Sequence, residues 1–429
     1  MSAGTTAAGR EAAWRSGSPE AVAAAIRATK REIRAGLGDV RAVFAQVEDW
    51  LKREVDAVHE AMTRDGSAVP CIDYAAIRDE RVPAAVIDLV RRRGCVVVRG
   101  VFPRPQAEAW DAEIGDYLTR NRYGARPADP SLDGYFSTLA SDRPQIFGIY
   151  WSKPQVAARQ SEALACTRAF LNRLWRHVSE GRVHFAPDRE CTYADRLRRR
   201  EPGDATLGLS PHMDAGSVER WIDPAYRSVY RHVFSGAWRD YDPFDGAFRA
   251  ETGEIPSAAV CSMFRTYQGW TALTPQGPGD GTLQLVPIAA GIVYLLLRPL
   301  LDDVPEDVLC GAEPKRAFSI SATWHPALLP ALGPIPHVEP GDTVWWHPDV
   351  VHAVEDRHGG RGYSNVIYIG AAPYCAKNAA YLERQKAAFL AGRSAPDFAP
   401  EDHEVGFVGR ATADDLSDLG RRQMGLQPW

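Results

Sequence analysis

The stretch Gly208-Leu209-Ser210-Pro211-His212-Met213-Asp214-Ala215-Gly216-Ser217-Val218-Glu219-Arg220-Trp221 decides how the rest of the chain is read. It holds a histidine and an aspartate two positions apart. In an extended segment, residues i and i+2 project to the same side, so this imidazole and this carboxylate can reach one metal ion. A mononuclear non-haem iron centre needs two histidines and one carboxylate on one face of the metal. The pattern is weak alone. With 11 histidines and 55 acidic residues in 429 positions, composition arithmetic gives roughly 1.4 chance occurrences of His-x-Asp/Glu. The chain has three: His212-Met213-Asp214, His337-Val338-Glu339 and His347-Pro348-Asp349.

Position along the chain separates them. In a barrel the third ligand comes from a different strand that returns beside the first, so tens of residues must intervene. After His212 and Asp214 there is room for several strands before His347 or His352. After His337 or His347 the next histidines, His352 and His358, come too soon for such an excursion. His347-Pro348-Asp349 also follows an apolar run, at a proline that favours a strand's end. His212 and Asp214 are therefore the preferred pair.

Composition pushes the search the same way. The seven cysteines are scattered, with no CxxC pair, so any metal site must use histidine and carboxylate. An odd number of dispersed thiols fits a reducing, cytoplasmic setting. Hydrophobic residues at 45% and charged residues at 24% allow a sizeable core and exclude a disordered or collagen-like chain. The balance of 50 basic and 55 acidic residues, net charge −5, points to neither nucleic-acid nor membrane surfaces as partners. The longest apolar run, Ile292–Leu297, is too short to cross a bilayer. Arg10, Glu11 and Arg15, with no apolar segment, do not make a secretory signal.

Working outward, residues 1–18 are small and polar and are expected to be disordered. Apolar residues at Val40, Val43, Phe44, Val47, Trp50, Leu51, Val55, Val58 and Met62 trace one helix face, with Asp39 as its N-cap. Arg91-Arg92-Arg93-Gly94 reads as a helix C-terminus, and Cys95–Arg99 as a buried strand. Helical spacing returns over 106–120 and 157–177, and again after residue 378. From about residue 205, short apolar runs alternate with Gly, Pro and Asp turns, as at 282–286, Thr343–Trp346 and 363–369, which suggests a β-sandwich or barrel. Arg196, Arg198, Arg199 and Arg200 read as a solvated charged segment. Trp221, Trp270, Trp345 and Trp346 read as core, and strand parity puts Trp345 and Trp346 on opposite faces.

Three further stretches join the first to carry a resemblance. They are Met263-Phe264-Arg265-Thr266-Tyr267-Gln268-Gly269-Trp270-Thr271-Ala272-Leu273, Gly279-Asp280-Gly281-Thr282-Leu283-Gln284-Leu285, and Gly341-Asp342-Thr343-Val344-Trp345-Trp346-His347-Pro348-Asp349-Val350-Val351-His352-Ala353-Val354. As an ordered set they resemble the 2-oxoglutarate- and Fe(II)-dependent oxygenases, and within them the YbiU-like branch, from about residue 70 onward. The resemblance implies a mainly β fold, a double-stranded β-helix (jelly-roll, cupin-like) barrel with flanking helices. It would span residues 66–429, behind an N-terminal helical annex at 1–65.

The resemblance also implies a chemistry. Fe(II) would be held by His212, Asp214 and His352, with His347 as the competitor of opposite strand parity. 2-Oxoglutarate and O2 would be cosubstrates, giving succinate, CO2 and an oxidised C–H bond in the substrate. Halogenating relatives usually carry a small residue at the carboxylate position, so Asp214 implies hydroxylation, desaturation or a related oxidation. The distal carboxylate of 2-oxoglutarate needs a cation, for which an arginine fork is well shaped. Arg361 lies nine residues after His352, and Arg265 is its rival. The alternatives to this dioxygenase are a non-catalytic jelly-roll binding protein and a hydrolase using another metal.

Overall fold

The computed structural model describes residues 13–125, 145–179, 181–205, 210–258 and 260–429. Two long helices come first. Helix α1 (Pro19–Leu37) buries Val22, Ile26 and Ile33. Helix α2 (Val40–Asp65) buries Phe44, Val47, Leu51, Val55 and Val58, the face its apolar spacing dictates. The Asp39 carboxylate accepts from the Ala42 N–H at 3.0 Å, and Gly66 ends the helix at φ 77°. Strand β1 (Cys71–Asp73) then runs parallel to β2 (Cys95–Arg99) through helix α3 (Ala84–Arg93). Gly94 closes α3 at φ 69°, and any Cβ there would come within 2.7 Å of Val350. Helix α4 (Arg104–Arg120) follows.

The remaining strands are β3 (Ile146–Phe147), β4 (Leu197–Arg200), β5 (His212–Met213), β6 (Tyr267–Ala272), β7 (Leu283–Leu285), β8 (Phe318–Ser319), β9 (Gly333–Pro334), β10 (Thr343–Trp346), β11 (His352–Val354) and β12 (Ser364–Ala371). They form a seven-stranded sheet, β1-β2-β10-β6-β12-β4-β3, and a five-stranded sheet, β8-β5-β11-β7-β9. From β4 to β7 the chain steps between the large and the small sheet with each strand, and from β9 to β12 it does so again. Two short two-stranded ribbons complete the β structure among the described residues.

Strand parity sorts the core. Trp345 is buried with Ile114 and Leu171 on the outer side of the large sheet, while Trp346 is buried with Trp270 and Leu283 on the inner side. On the small sheet, Met213 and Phe318 join a cluster with the N-terminal helices and with helix α5 (Ile292–Leu297). The longest apolar run is thus a core helix, with Tyr294 stacked on Phe44 at 5.4 Å. No helix among the described residues is long and apolar enough to cross a membrane. Helix α6 (Ala376–Ala391) packs at the C-terminal side.

Several expectations change. The fold is mixed α/β rather than mainly β, and the hydrogen bonding of the two sheets does not close into a barrel. Residues 1–12 lie outside the described residues. Within 13–18, however, Trp14 is buried and Arg15 bonds Asp223 at 2.7 Å, because an indole and a paired guanidinium anchor this otherwise polar segment. The helical stretch at 157–177 is two helices, Lys153–Arg159 and Glu162–Arg173. The arginine-rich segment is strand β4, with Arg198 and Arg200 buried. Pairing with Ser364, Asn365, Val366 and Ile367 of β12 draws it inside the sheet despite its charge.

Candidate metal centre and its cavity

The in-register pairing of β5 with β11 sets His212 opposite His352, which brings their ring centroids to 4.3 Å. Asp214 lies two residues beyond His212. One of its carboxylate oxygens is 3.3 Å from His212 Nε2 and the other 3.4 Å from His352 Nε2. All three candidate ligand atoms fall within 4.8 Å of one another. His212 Nδ1 donates to the Ser210 carbonyl at 2.7 Å, leaving the Nε2 lone pair free to bind a metal. His352 Nδ1 faces the Val350 carbonyl at 3.5 Å.

Electrostatics suit the arrangement. Burial works against the Asp214 charge, but the two imidazoles outweigh it and hold the carboxyl well below its ordinary range. Burial also lowers His352, and the neighbouring His212 adds to this. In His212, burial is overcome by Asp214, so its proton affinity is raised. An ionised carboxylate beside two imidazoles with converging Nε2 atoms fits a two-histidine, one-carboxylate divalent metal site.

The other two His-x-acid pairs lie elsewhere. His337 is exposed, 3.2 Å from Glu339. His347 is buried and stacks on Trp175 at 4.7 Å. Its Nε2 bonds the Pro243 carbonyl at 2.9 Å and its Nδ1 accepts from the Asp349 N–H at 2.9 Å, so neither nitrogen is available to a metal. Asp349 accepts from Arg220 at 2.6 Å, Tyr230 at 3.0 Å, Arg249 at 3.1 Å and Tyr241 at 3.2 Å. These partners come from the segment between residues 215 and 260, whose sequence carried no readable pattern. It folds into short helices that clamp Asp349.

A cavity of about 130 Å³ opens between the two sheets at the histidine pair. His212, Asp214, His352, Leu283 and Val354 line it from the small-sheet side, and Gln268, Trp270, Trp346, Tyr368 and Arg198 from the large sheet. Trp270 and Trp346 are therefore lining residues as well as core. Arg265 also lines the cavity, with its guanidinium 5.0 Å from the centre of the Tyr193 ring. Arg361 does not; it is exposed in the turn before β12. Arg198 was missed in the sequence because four arginines within five residues look solvated. The signal lay in its alternation, which puts Arg198 and Arg200 on one face of a strand.

Comparison with known proteins extends the picture. Residues 20–426 match the Gig2-like family. The uncharacterized protein YbiU of Escherichia coli (strain K12) is 47% identical over 406 residues, which cover 94% of this chain and 96% of that protein. A crystal structure from Salmonella typhimurium LT2, provisionally named an oxidoreductase, has a TM-score of 0.90 at 44% identity and covers 94% of this chain and 97% of that one. GlcNAc Inducible Gene 2 of Candida albicans has a TM-score of 0.78 at 27% identity and covers 94% and 89%.

Proposed function

This chain belongs to the Gig2-like family, and we propose that it is an Fe(II)- and 2-oxoglutarate-dependent dioxygenase that hydroxylates a C–H bond of a small molecule. The observation that carries this reading is the convergence of His212, Asp214 and His352 at a cavity between two sheets. The way the chain steps between the large and small sheets supports reading β4–β7 and β9–β12 as a double-stranded β-helix. Iron with 2-oxoglutarate and O2 would supply the chemistry, hydroxylation of a substrate C–H bond coupled to decarboxylation of 2-oxoglutarate to succinate and CO2.

The protein's own residues hold and orient. His212, Asp214 and His352 would hold the metal. Arg198 takes the distal carboxylate of 2-oxoglutarate, in place of Arg361, which stands outside the cavity. Strand register supports that assignment. Trp346, which touches the His352 ring, pairs with Gln268, and Gln268 pairs with Gly370. Arg198 pairs with Val366, four residues back along β12, or roughly 13 Å at strand spacing. A five-carbon diacid together with an arginine side chain fills such a span. The Gly281 carbonyl holds the Arg198 guanidinium at 2.5 Å, so the fork is oriented before the ligand arrives. Trp270 and Trp346 exclude water around the metal.

The test is succinate formation and O2 uptake by iron-loaded protein, with and without His212→Ala, which should abolish both. Arg198→Gln should raise the apparent 2-oxoglutarate requirement at least tenfold, about 1.4 kcal/mol, and Arg361→Ala should leave it unchanged. Metal binding without succinate formation would instead favour a binding protein or a hydrolase.

A further inference from the structure

The cavity holds more unsatisfied polarity than a metal and 2-oxoglutarate consume. Arg265 is 8% exposed, yet its guanidinium makes no hydrogen bond or ion pair with any described residue. It is a buried cation resting on a Tyr193 ring and facing the space beside the metal ligands. Gln268 is 2% exposed, and both its amide nitrogen and its amide oxygen lack a partner. The Trp346 indole N–H is likewise buried and unpartnered. Buried polar groups left unpaired like the Gln268 amide and the Trp346 N–H cost roughly 1–3 kcal/mol each, and beside a guanidinium that opens on the cavity they call for an occupant.

Register puts the three in one row. Trp346 pairs with Gln268 across β10 and β6, and Gln268 pairs with Gly370 across β6 and β12. The Arg265 stem crosses Gly370, where a Cβ would sit 3.3 Å from Arg265 Cδ. Gly370 thus leaves the passage through which Arg265 reaches the cavity. The row also abuts the metal ligands, since the Trp346 and His352 rings are 5.2 Å apart.

We infer that this row is the substrate subsite and that the substrate is a small organic carboxylate, its acid group on Arg265 and a neighbouring polar group on Gln268. The inference rests on the oxygenase reading, in which Arg198 is already committed to the cosubstrate. Charge supports a monoanion. Fe(II) and the guanidiniums of Arg198 and Arg265, set against Asp214 and a dianionic cosubstrate, leave one positive charge. The other acids that line the same cavity have cations of their own. Asp195 faces Arg196, and Asp397 accepts from Ser262 and lies near Arg384. A single planar guanidinium with one amide suits a carboxylate better than a dianionic phosphate.

The test uses the full metal-free chain, so that it stands apart from catalysis. Ligand-observed NMR and calorimetry would follow butanoate through octanoate, their 2-hydroxy acids and the matching neutral amides. The acids should bind wild type and Arg198→Gln, and bind Arg265→Gln at least tenfold more weakly; the amides should not bind. Equal binding of amides, unchanged binding to Arg265→Gln, or no binding by any acid would overturn the inference. In the iron-loaded enzyme, Arg265→Gln should leave the 2-oxoglutarate requirement unchanged. A raised requirement would make Arg265 the cosubstrate anchor and sink this inference alone, while absence of succinate from wild type would sink the oxygenase reading instead.

Discussion

At the scale of single residues, identical short motifs have opposite fates. His212-Met213-Asp214 turns both polar side chains toward the cavity, whereas His347-Pro348-Asp349 is sealed among Trp175, Arg220, Arg249 and two tyrosines. Asp349→Asn leaves two buried guanidiniums facing a neutral amide. The expected cost is about 3–5 kcal/mol at neutral pH, measured by urea unfolding. Burial opposes the Asp349 charge, but Arg249 and Arg220 hold its carboxyl far below the usual range. A depressed carboxyl contributes stability that is fully present above its unfolded value of about 4 and is lost as pH falls below it. The gap between wild type and Asp349→Asn should therefore narrow on acidification, and a gap independent of pH would contradict this role. Sequence spacing was enough to prefer His212 and Asp214, because the ladder of strands that must separate metal ligands is itself a sequence distance. It did not expose the Asp349 clamp, whose arginines lie 129 and 100 residues away.

At the scale of elements, local chemistry was legible wherever one residue acts on its neighbours. The Asp39 cap, the Gly66 and Gly94 stops and the buried run Cys95–Arg99 are all determined within a turn or a strand. Strand β4 was not, because burial of its arginines depends on a carbonyl at Gly281 supplied by a distant turn. Close approach was equally hidden. Gly269 lies in β6, where a Cβ would meet the Val344 carbonyl and the Trp345 ring at 2.7 Å. Gly269→Ala forces β6 and β10 apart and should cost about 1–3 kcal/mol by thermal or chemical unfolding. A neutral result would mean that the two strands give way more easily than their buried ladder suggests.

At the scale of the molecule, strand texture pointed to a β architecture but not to the amount of helix packed on it. Helices α1 and α2 bury their apolar faces in the same cluster as Met213 and Phe318, on the face of the small sheet away from the metal ligands. Removing residues 1–65 should strip that cover from β5, so the truncated chain should lose cooperative unfolding and bind iron poorly; full metal affinity in the truncated form would show the helices to be dispensable. The central claim is that His212, Asp214 and His352 hold Fe(II) in a form that accepts 2-oxoglutarate. The most direct measurement is the visible absorption difference when 2-oxoglutarate is added anaerobically to iron-loaded protein. A weak charge-transfer band that vanishes in His212→Ala is the expected result, and a featureless spectrum from metal-replete wild type would contradict it.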